Sequence, residues 1–571
     1  MTRIRSVATA VNRRTFIATT GAVGVSAGIG LALGAGSGDR AAAAAPGTGS
    51  GAGAPGTGTA TARTTLDTVA TPRGPSAAFR RLGDGPGWPR VVRDQLAAPR
   101  SGRAGRRTVL SSFVQLTDLH LVDVQHPVRT EYLRSQGVSA WRPQEALTVP
   151  GAVSLIERIN ALTAGPATGA PLSFAVTTGD NTDNNSRTEL DWFLTVMSGG
   201  RISPNTGDGL RYEGVQNSGE RLFWHPEDAL RDTDKQYGYP RVDGFLAAAI
   251  RSVNSPGLRI PWYSTVGNHD SLASGAIADR SGFLAEFAVG GRKLYGVPDA
   301  DAKKLTEVLS QGGDPAGGEL VDLLRHSKRA MRSVTPDPGR APFGPREYLT
   351  AHLDPARAGA GPAGHGYTTA NLDSDTLYYT FPMGGNVTGI SLDTTDRAGH
   401  FTGSLDTTQL NWLKRTLDEH RDGYVVVFSH HNSWTMTNTT PDPRRPGEAR
   451  HNGDEVVALL RKHRSVLAWV NGHSHRNAIL PHGTFWEIST ASHIDFPQLA
   501  RVIEVADNGD GTLSLFTTLI ESAAPHRTDF GDLSQTGLAA LYRELAANAP
   551  GSTAKPAGAS TDRNTELLLR R

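Results

Sequence analysis

The sequence predicts an α/β fold, on two observations. Short β-rich runs end abruptly in polar residues: Phe113–Thr117, Ser173–Thr178, Trp262–Val266, Tyr424–Ser429 and Val466–Val470 are each followed at once by Asp, His, Asn or Gly. Helix-like stretches lie between them, among them Val153–Leu162 and Gln409–His420, the latter with Leu410, Leu413 and Leu417 on one face and Asp406 as its candidate cap. In α/β sheets ligands bind at the carboxyl ends of strands, which is where these polar clusters fall.

Two segments, 199–240 and 271–370, break the rhythm. Both are rich in Gly, Pro and charge, with helical patterns confined to pieces such as Ala302–Leu309 and Leu320–Met331, and they read as insertions around a site. Beyond Gly483, the strand-like pieces Phe485–Ser489, Leu499–Val505 and Leu513–Leu519, with the turn Asn508-Gly509-Asp510-Gly511 between the last two, are expected to complete a second sheet.

The ends read differently from the body. Residues 1–45 carry Arg3, Arg5, Arg13 and Arg14, a weakly apolar glycine-rich stretch from Ile17 to Leu33, and small residues at Ala41–Ala45 that suit cleavage. The segment Asn12-Arg13-Arg14-Thr15-Phe16-Ile17 resembles a twin-arginine export signal. That resemblance implies the twin-arginine (Tat) export machinery as a partner and a secreted or extracytoplasmic location. So many glycines weaken retention in lipid, so no stable membrane anchor is expected. Residues 46–75 are expected to form a flexible linker, 76–530 the main domain, and 531–571 a helix near Leu533–Ala546 followed by a tail.

Composition narrows the chemistry. Hydrophobic residues make up 38% and charged residues 20% of 571, the values of an ordinary soluble domain. The net charge of +2 arises from 58 basic and 56 acidic residues spread along the chain, which leaves no basic stripe for nucleic acid. There is no cysteine. Disulfides and thiolate sites are therefore excluded, and a metal would be held by imidazole, carboxylate or amide oxygen, which suits Mn, Fe or Zn.

Five clusters supply such groups. Asp118-Leu119-His120 offers alternate residues at a strand end, which point the same way. Gly179-Asp180-Asn181-Thr182-Asp183 offers a carboxylate able to bridge two cations, Gly267-Asn268-His269-Asp270 an amide, an imidazole and a carboxylate at one turn, and His430-His431 and Gly472-His473-Ser474-His475 four imidazoles. Each cluster alone has a plain alternative as a turn or a surface histidine.

The ordered set D-x-H, G-D, G-N-H-D, H and G-H-x-H, spread over about 108 to 520, resembles the calcineurin-like metallophosphoesterase superfamily. That resemblance implies a four-layer αββα sandwich of two mixed β-sheets, with the insertions outside it. It implies one ion on Asp118, His120 and His475, a second on Asn268, His430 and His473, and Asp180 between them, with His431 the lesser alternative to His430. It also implies hydrolysis of phosphate mono- or diesters by a hydroxide activated between the ions. His269 would steady the transition state or protonate the leaving oxygen, and Asp270 would orient His269 or a neighbouring imidazole. Asp183 stands where purple acid phosphatases carry a tyrosine and resembles the residue that cyclic-nucleotide and glycerol phosphodiesterases have there, so a tyrosinate-to-iron colour is not expected and the choice tilts weakly toward diesters. His493, Asp495 and Asn432 are candidates to line the substrate pocket. The rival expectations are a catalytically silent binding protein on the same fold and a nuclease of the same superfamily.

Overall fold

The computed structural model describes residues 62–75, 78–137 and 140–571. Residues 1–45, expected to be an export signal, and residues 46–61 lie outside the described residues. The linker ends earlier than its composition suggested. Thr68–Arg73 is a strand paired with Arg81–Pro86, because Val69 and Ala70 are buried and the Ala70 N–H donates to Glu521 Oε1 at 3.0 Å.

Thirteen strands among the described residues form the two main sheets. The first has seven: β1 (Val91–Arg93), β2 (Thr108–Leu116), β3 (Phe174–Thr178), β4 (Trp262–Thr265), β11 (Leu499–Asp507), β12 (Thr512–Glu521) and β13 (Thr565–Arg570), in the order β1-β13-β12-β11-β2-β3-β4. The second has six: β5 (Tyr379–Gly384), β6 (Val387–Ser391), β7 (Tyr424–Phe428), β8 (Val466–Asn471), β9 (Ala478–Pro481) and β10 (Trp486–Ser489), in the order β5-β6-β7-β8-β10-β9. Both are mixed. β2, β3 and β4 run parallel to one another, as do β6, β7, β8 and β10, while β11 is antiparallel to β2 and β12, and β5 and β9 pair antiparallel at the edges of the second sheet.

The period-two alternation of each strand builds the layers. In β7, Val426 and Phe428 face the first sheet, where Phe428 meets Phe113 of β2 at 5.7 Å between ring centroids. Val425 and Val427 face the other way, onto Leu413 and Leu417 of one helix (Thr407–Glu419) and Val456 and Leu460 of another (Gly453–Leu460). The first sheet is covered outside by the helices Thr148–Ala161 and Arg187–Ser198, and Gln535–Asn548 packs against the former. Asp406 caps the helix that follows it, accepting from the Gln409 N–H at 2.7 Å.

Three expectations need correction. The C-terminal tail is a strand: the buried Leu567, Leu568 and Leu569 place β13 inside the first sheet between β12 and β1, because a run of three leucines is stable only when both of its faces are covered. Of the strands after Gly483 expected to complete the second sheet, only β10 does so, beside β8, while β11 and β12 extend the sheet of β2. The helix beginning at Gly318 stops at His326, and Met331–Ser333 instead pairs with Arg292–Leu294. Each insertion packs into an apolar cluster shared with the body, Trp224 of the first with Trp141 and Phe245, Leu305 and Leu320 of the second with Leu133.

Candidate metal centre

The loops leaving β2 and β3 run side by side beyond the sheet. The Asp118 N–H donates to the Gly179 carbonyl (3.1 Å) and the His120 N–H to the Asp180 carbonyl (2.9 Å), so the ladder continues through the candidate ligands. From the second sheet, the Gly472 N–H donates to the His430 carbonyl at 3.0 Å. Five candidate ligands adopt left-handed backbone, with φ of 51° at Asp118, 42° at His120, 51° at Asp180, 63° at His473 and 50° at His475. Each such conformation costs a non-glycine residue about 1 to 3 kcal/mol, and a cluster of them marks a place where side-chain direction outweighs local comfort. Gly472 has to be glycine, because a Cβ there would lie 1.9 Å from Thr117 Oγ1 and 2.5 Å from Asp118 Oδ2.

The side chains converge in a buried pocket, with none of Asp118, His120, Asp180, Asn268, His269, His430, His473 and His475 more than 5% exposed. Each is held by one atom and presents another. Asp118 Oδ2 accepts from Thr117 Oγ1 (2.6 Å), and Asp180 Oδ1 accepts from the His269 N–H (2.8 Å). The Asn268 amide donates to the Gly275 carbonyl (2.8 Å). Left without a hydrogen-bond partner are Asp118 Oδ1, Asp180 Oδ2, Asn268 Oδ1 and the Nε2 atoms of His120, His269, His473 and His475. They face one another closely: His475 Nε2 is 3.2 Å from Asp118 Oδ1, His120 Nε2 is 3.6 Å from Asp180 Oδ2, and His430 Nε2 is 3.1 Å from both Asp180 Oδ2 and His473 Nδ1. Buried polar atoms without partners each cost about 1 to 3 kcal/mol, and cations among them would remove that cost. Asp118, His120 and His475 can hold one ion, as can Asp118, Asp180 and His430. The donor set of imidazole, carboxylate and amide oxygen fits Mn, Fe or Zn.

What stands behind each imidazole fixes its tautomer. His120 donates through Nδ1 to Asp183 Oδ1 (3.0 Å), and His475 through Nδ1 to Asp495 Oδ2 (2.6 Å). His430 donates through Nδ1 to the Thr178 carbonyl (2.8 Å), and His269 through Nδ1 to the Asp183 carbonyl (2.6 Å). Burial opposes charge on His430, but Asp180 outweighs it and the imidazole is pushed up to about 9. His475 reaches about 9 in the same way through Asp118 and Asp495. Burial pulls His120 down, and burial together with His431 and His430 holds His473 well below the usual range. Asp180 is held well below the usual carboxylate range, because His430 and His269 overcome its burial.

His431 lies with His430 and His473 within reach of one ion, but both its nitrogens are engaged, Nδ1 with Thr394 Oγ1 (2.9 Å) and Nε2 with the Phe401 carbonyl (3.0 Å), which keeps His430 the favoured ligand; burial pulls the His431 pKa down to about 3. Four other expectations change. Asp270 orients neither His269 nor another imidazole. Its carboxylate accepts from the N–H groups of Asn181 (3.1 Å), Thr182 (2.9 Å) and Gly267 (2.9 Å), and so braces the two ligand loops against each other, while burial raises its pKa to about 6. His493 faces away, its Nε2 on the Gly151 carbonyl at 3.0 Å. Asn432 donates to the Gly472 carbonyl (3.0 Å) and is structural, whereas Asp495 backs His475. Arg129, Arg142 and Glu145 were not legible as site residues, since the segment that carries them has no strand-end motif.

No protein-family model matches the chain. Over 111 residues it is 31% identical to a manganese-dependent ADP-ribose/CDP-alcohol diphosphatase of Danio rerio, a match covering 19% of this chain and 31% of that protein's length. Among solved structures, a dimetal phosphatase from Danio rerio overlaps 73% of this chain and 100% of its own at 13% identity and a TM-score of 0.34. The calcineurin-like phosphoesterase YfkN from Bacillus subtilis overlaps 76% of this chain and 98% of its own at 11% identity and a TM-score of 0.26. Overlaps this loose carry no argument about the site.

Proposed function

We propose that the chain belongs to the calcineurin-like metallophosphoesterase superfamily and hydrolyses phosphate esters with two metal ions held at this centre. The observation that carries this is the convergence of unpartnered, buried ligand atoms from both sheets, in the order that the superfamily pattern requires. Asp118, His120 and His475 would hold one ion, Asn268, His430 and His473 the other. Asp180 would serve both, since its Oδ2 faces His120 of one set and His430 of the other. Two ions so placed would polarise a phosphoryl oxygen and supply a water acidic enough to act as nucleophile near neutral pH.

The chain's own groups do the rest. His269 keeps Nε2 buried and unpartnered while the Asp183 carbonyl fixes Nδ1–H, so that with both nitrogens protonated it would pass the Nε2 proton to the leaving oxygen and keep the one on Nδ1. Phosphate mono- and diesters are the substrate class, and the resemblance to a manganese-dependent diphosphatase adds diphosphates and favours manganese among Mn, Fe and Zn. Elemental analysis of purified protein together with a panel of aryl monoesters, diesters and diphosphates tests this. Close to two transition-metal ions per chain are expected. A sample free of Mn, Fe, Zn and Co that none of them activates would overturn it.

The twin-arginine segment supports export of the folded, metal-loaded chain to the cell envelope or beyond. Replacing Arg13 and Arg14 with lysine is expected to abolish delivery. Undiminished export of folded protein would show that another signal is read.

A further inference from the structure

Behind the carboxylates that hold His120 and His475 lies another layer of charge. Arg129 pairs with Asp183 through Nη1, with Glu145 Oε2 through Nη2 (2.5 Å) and with Glu131 Oε1 through Nε (3.0 Å). Arg142 forks onto Asp495, Nε to Oδ1 at 2.6 Å and Nη2 to Oδ2 at 3.0 Å. Its backbone N–H donates to Glu145 Oε1 (3.1 Å), and its Nη1 lies 3.7 Å from that oxygen. Glu145 thus takes one arginine on each carboxylate oxygen, and Glu145, Arg129 and Arg142 are all buried.

Two chains of alternating charge result: Glu145, Arg129, Asp183, His120 and Glu145, Arg142, Asp495, His475. The fork of Arg142 fixes the Asp495 carboxylate in both position and plane, Arg129 holds one oxygen of Asp183 while His120 takes the other, and a fixed carboxylate fixes the imidazole that donates to it. Both imidazoles converge on Asp118, His475 Nε2 at 3.2 Å and His120 Nε2 at 4.0 Å. Among the described residues nothing equivalent backs the other half of the centre, where His430 and Asn268 lean on the carbonyl oxygens of Thr178 and Gly275.

We propose that Glu145, acting through Arg129 and Arg142, is a positioning residue that sets His120 and His475 as a coupled pair for one ion of the centre. The inference rests on the metal-centre reading above. It goes beyond that reading by assigning control of one half-site to Arg129, Arg142 and Glu145, none of which is among the ligands.

The test is calorimetric titration of Mn2+ into the metal-free full chain, with thermal unfolding of the same metal-free samples. Two binding events are expected in the wild type. Glu145→Gln should weaken one of them about tenfold to a hundredfold and leave the other unchanged. Arg142→Lys keeps the charge but loses the fork, so it should weaken the same event to a smaller extent, and it carries the test if Glu145→Gln does not fold. Asp183→Asn and Asp495→Asn should be non-additive on that event in the wild-type background and additive once Glu145 is Gln. Equal weakening of both events, or no change in either, overturns the inference while leaving the metal centre standing. A wild-type chain that binds no Mn2+ overturns the metal centre and the inference with it.

Discussion

The two halves of the candidate centre each offer two imidazoles and one oxygen donor, the Asp118 carboxylate in one and the Asn268 amide in the other, and they are supported in different ways. His120 and His475 donate to the carboxylates of Asp183 and Asp495, whereas His430 and the Asn268 amide donate to neutral carbonyls. A carboxylate behind an imidazole raises its basicity and fixes its ring, so the half that holds Asp118 should grip its ion harder. The two halves thus part both in their oxygen donor and in what stands one contact further out, carboxylates behind one pair of imidazoles and a neutral carbonyl behind His430.

The strongest break of this comparison is at the residue both halves share. Asp180→Asn removes the carboxylate that faces His120 and His430 together. Both ions should be lost from purified protein and turnover should fall to background, because one negative charge offsets two cations. Retention of either ion at full occupancy would show that Asp180 serves only one half.

A substitution next to the centre should separate chemistry from binding. His269→Asn is expected to leave metal content nearly unchanged and to slow hydrolysis of esters with poor leaving groups by about a hundredfold to ten-thousandfold, with smaller losses for good leaving groups. Metal loss like that of Asp180→Asn would make His269 a ligand. Full activity on alkyl esters would make it structural.

Protonation sharpens the comparison further. In the metal-free protein His430 and His475 are pushed up to about 9 against an ordinary 6.5, so at neutral pH an ion must displace protons from both halves. Metal affinity should rise with pH and level off above about 9, at roughly tenfold per unit for each proton displaced. Calorimetry in buffers of different ionisation heat reads the protons released. The stability of the metal-free chain runs the other way: the contribution of these raised imidazoles is full below 6.5 and is lost as pH rises through about 9. Chelation at fixed pH should strip the carbonyl-backed ion first, and simultaneous loss of the two would erase the distinction between the halves.

The smallest effect on the centre is expected at the neighbour of a ligand. His431→Gln should keep both ions, since neither nitrogen of His431 is free, and should cost about 1 to 3 kcal/mol in denaturant unfolding by leaving Thr394 or the Phe401 carbonyl unpaired. Loss of an ion would exchange the roles of His430 and His431.

The sequence by itself determined the strands and the residues that end them. A buried strand is written in a few adjacent apolar residues, and Asp118, Asp180, Asn268, His430 and His473 each lie within three residues of one. The tertiary structure decided what those ends lean on. Asp270 was read as a partner of its neighbour His269 and instead braces Asn181 and Thr182, 89 and 88 positions away. Arg142 reaches Asp495 across 353 positions, and β13 finds its place between β12 and β1 because both pair with its backbone while Leu567 and Leu569 enter the core cluster. Local periodicity records which face of a strand or helix is apolar. It does not record which distant buried charge will meet which, since that depends on two sheets closing over each other and leaving each polar atom between them in need of a partner.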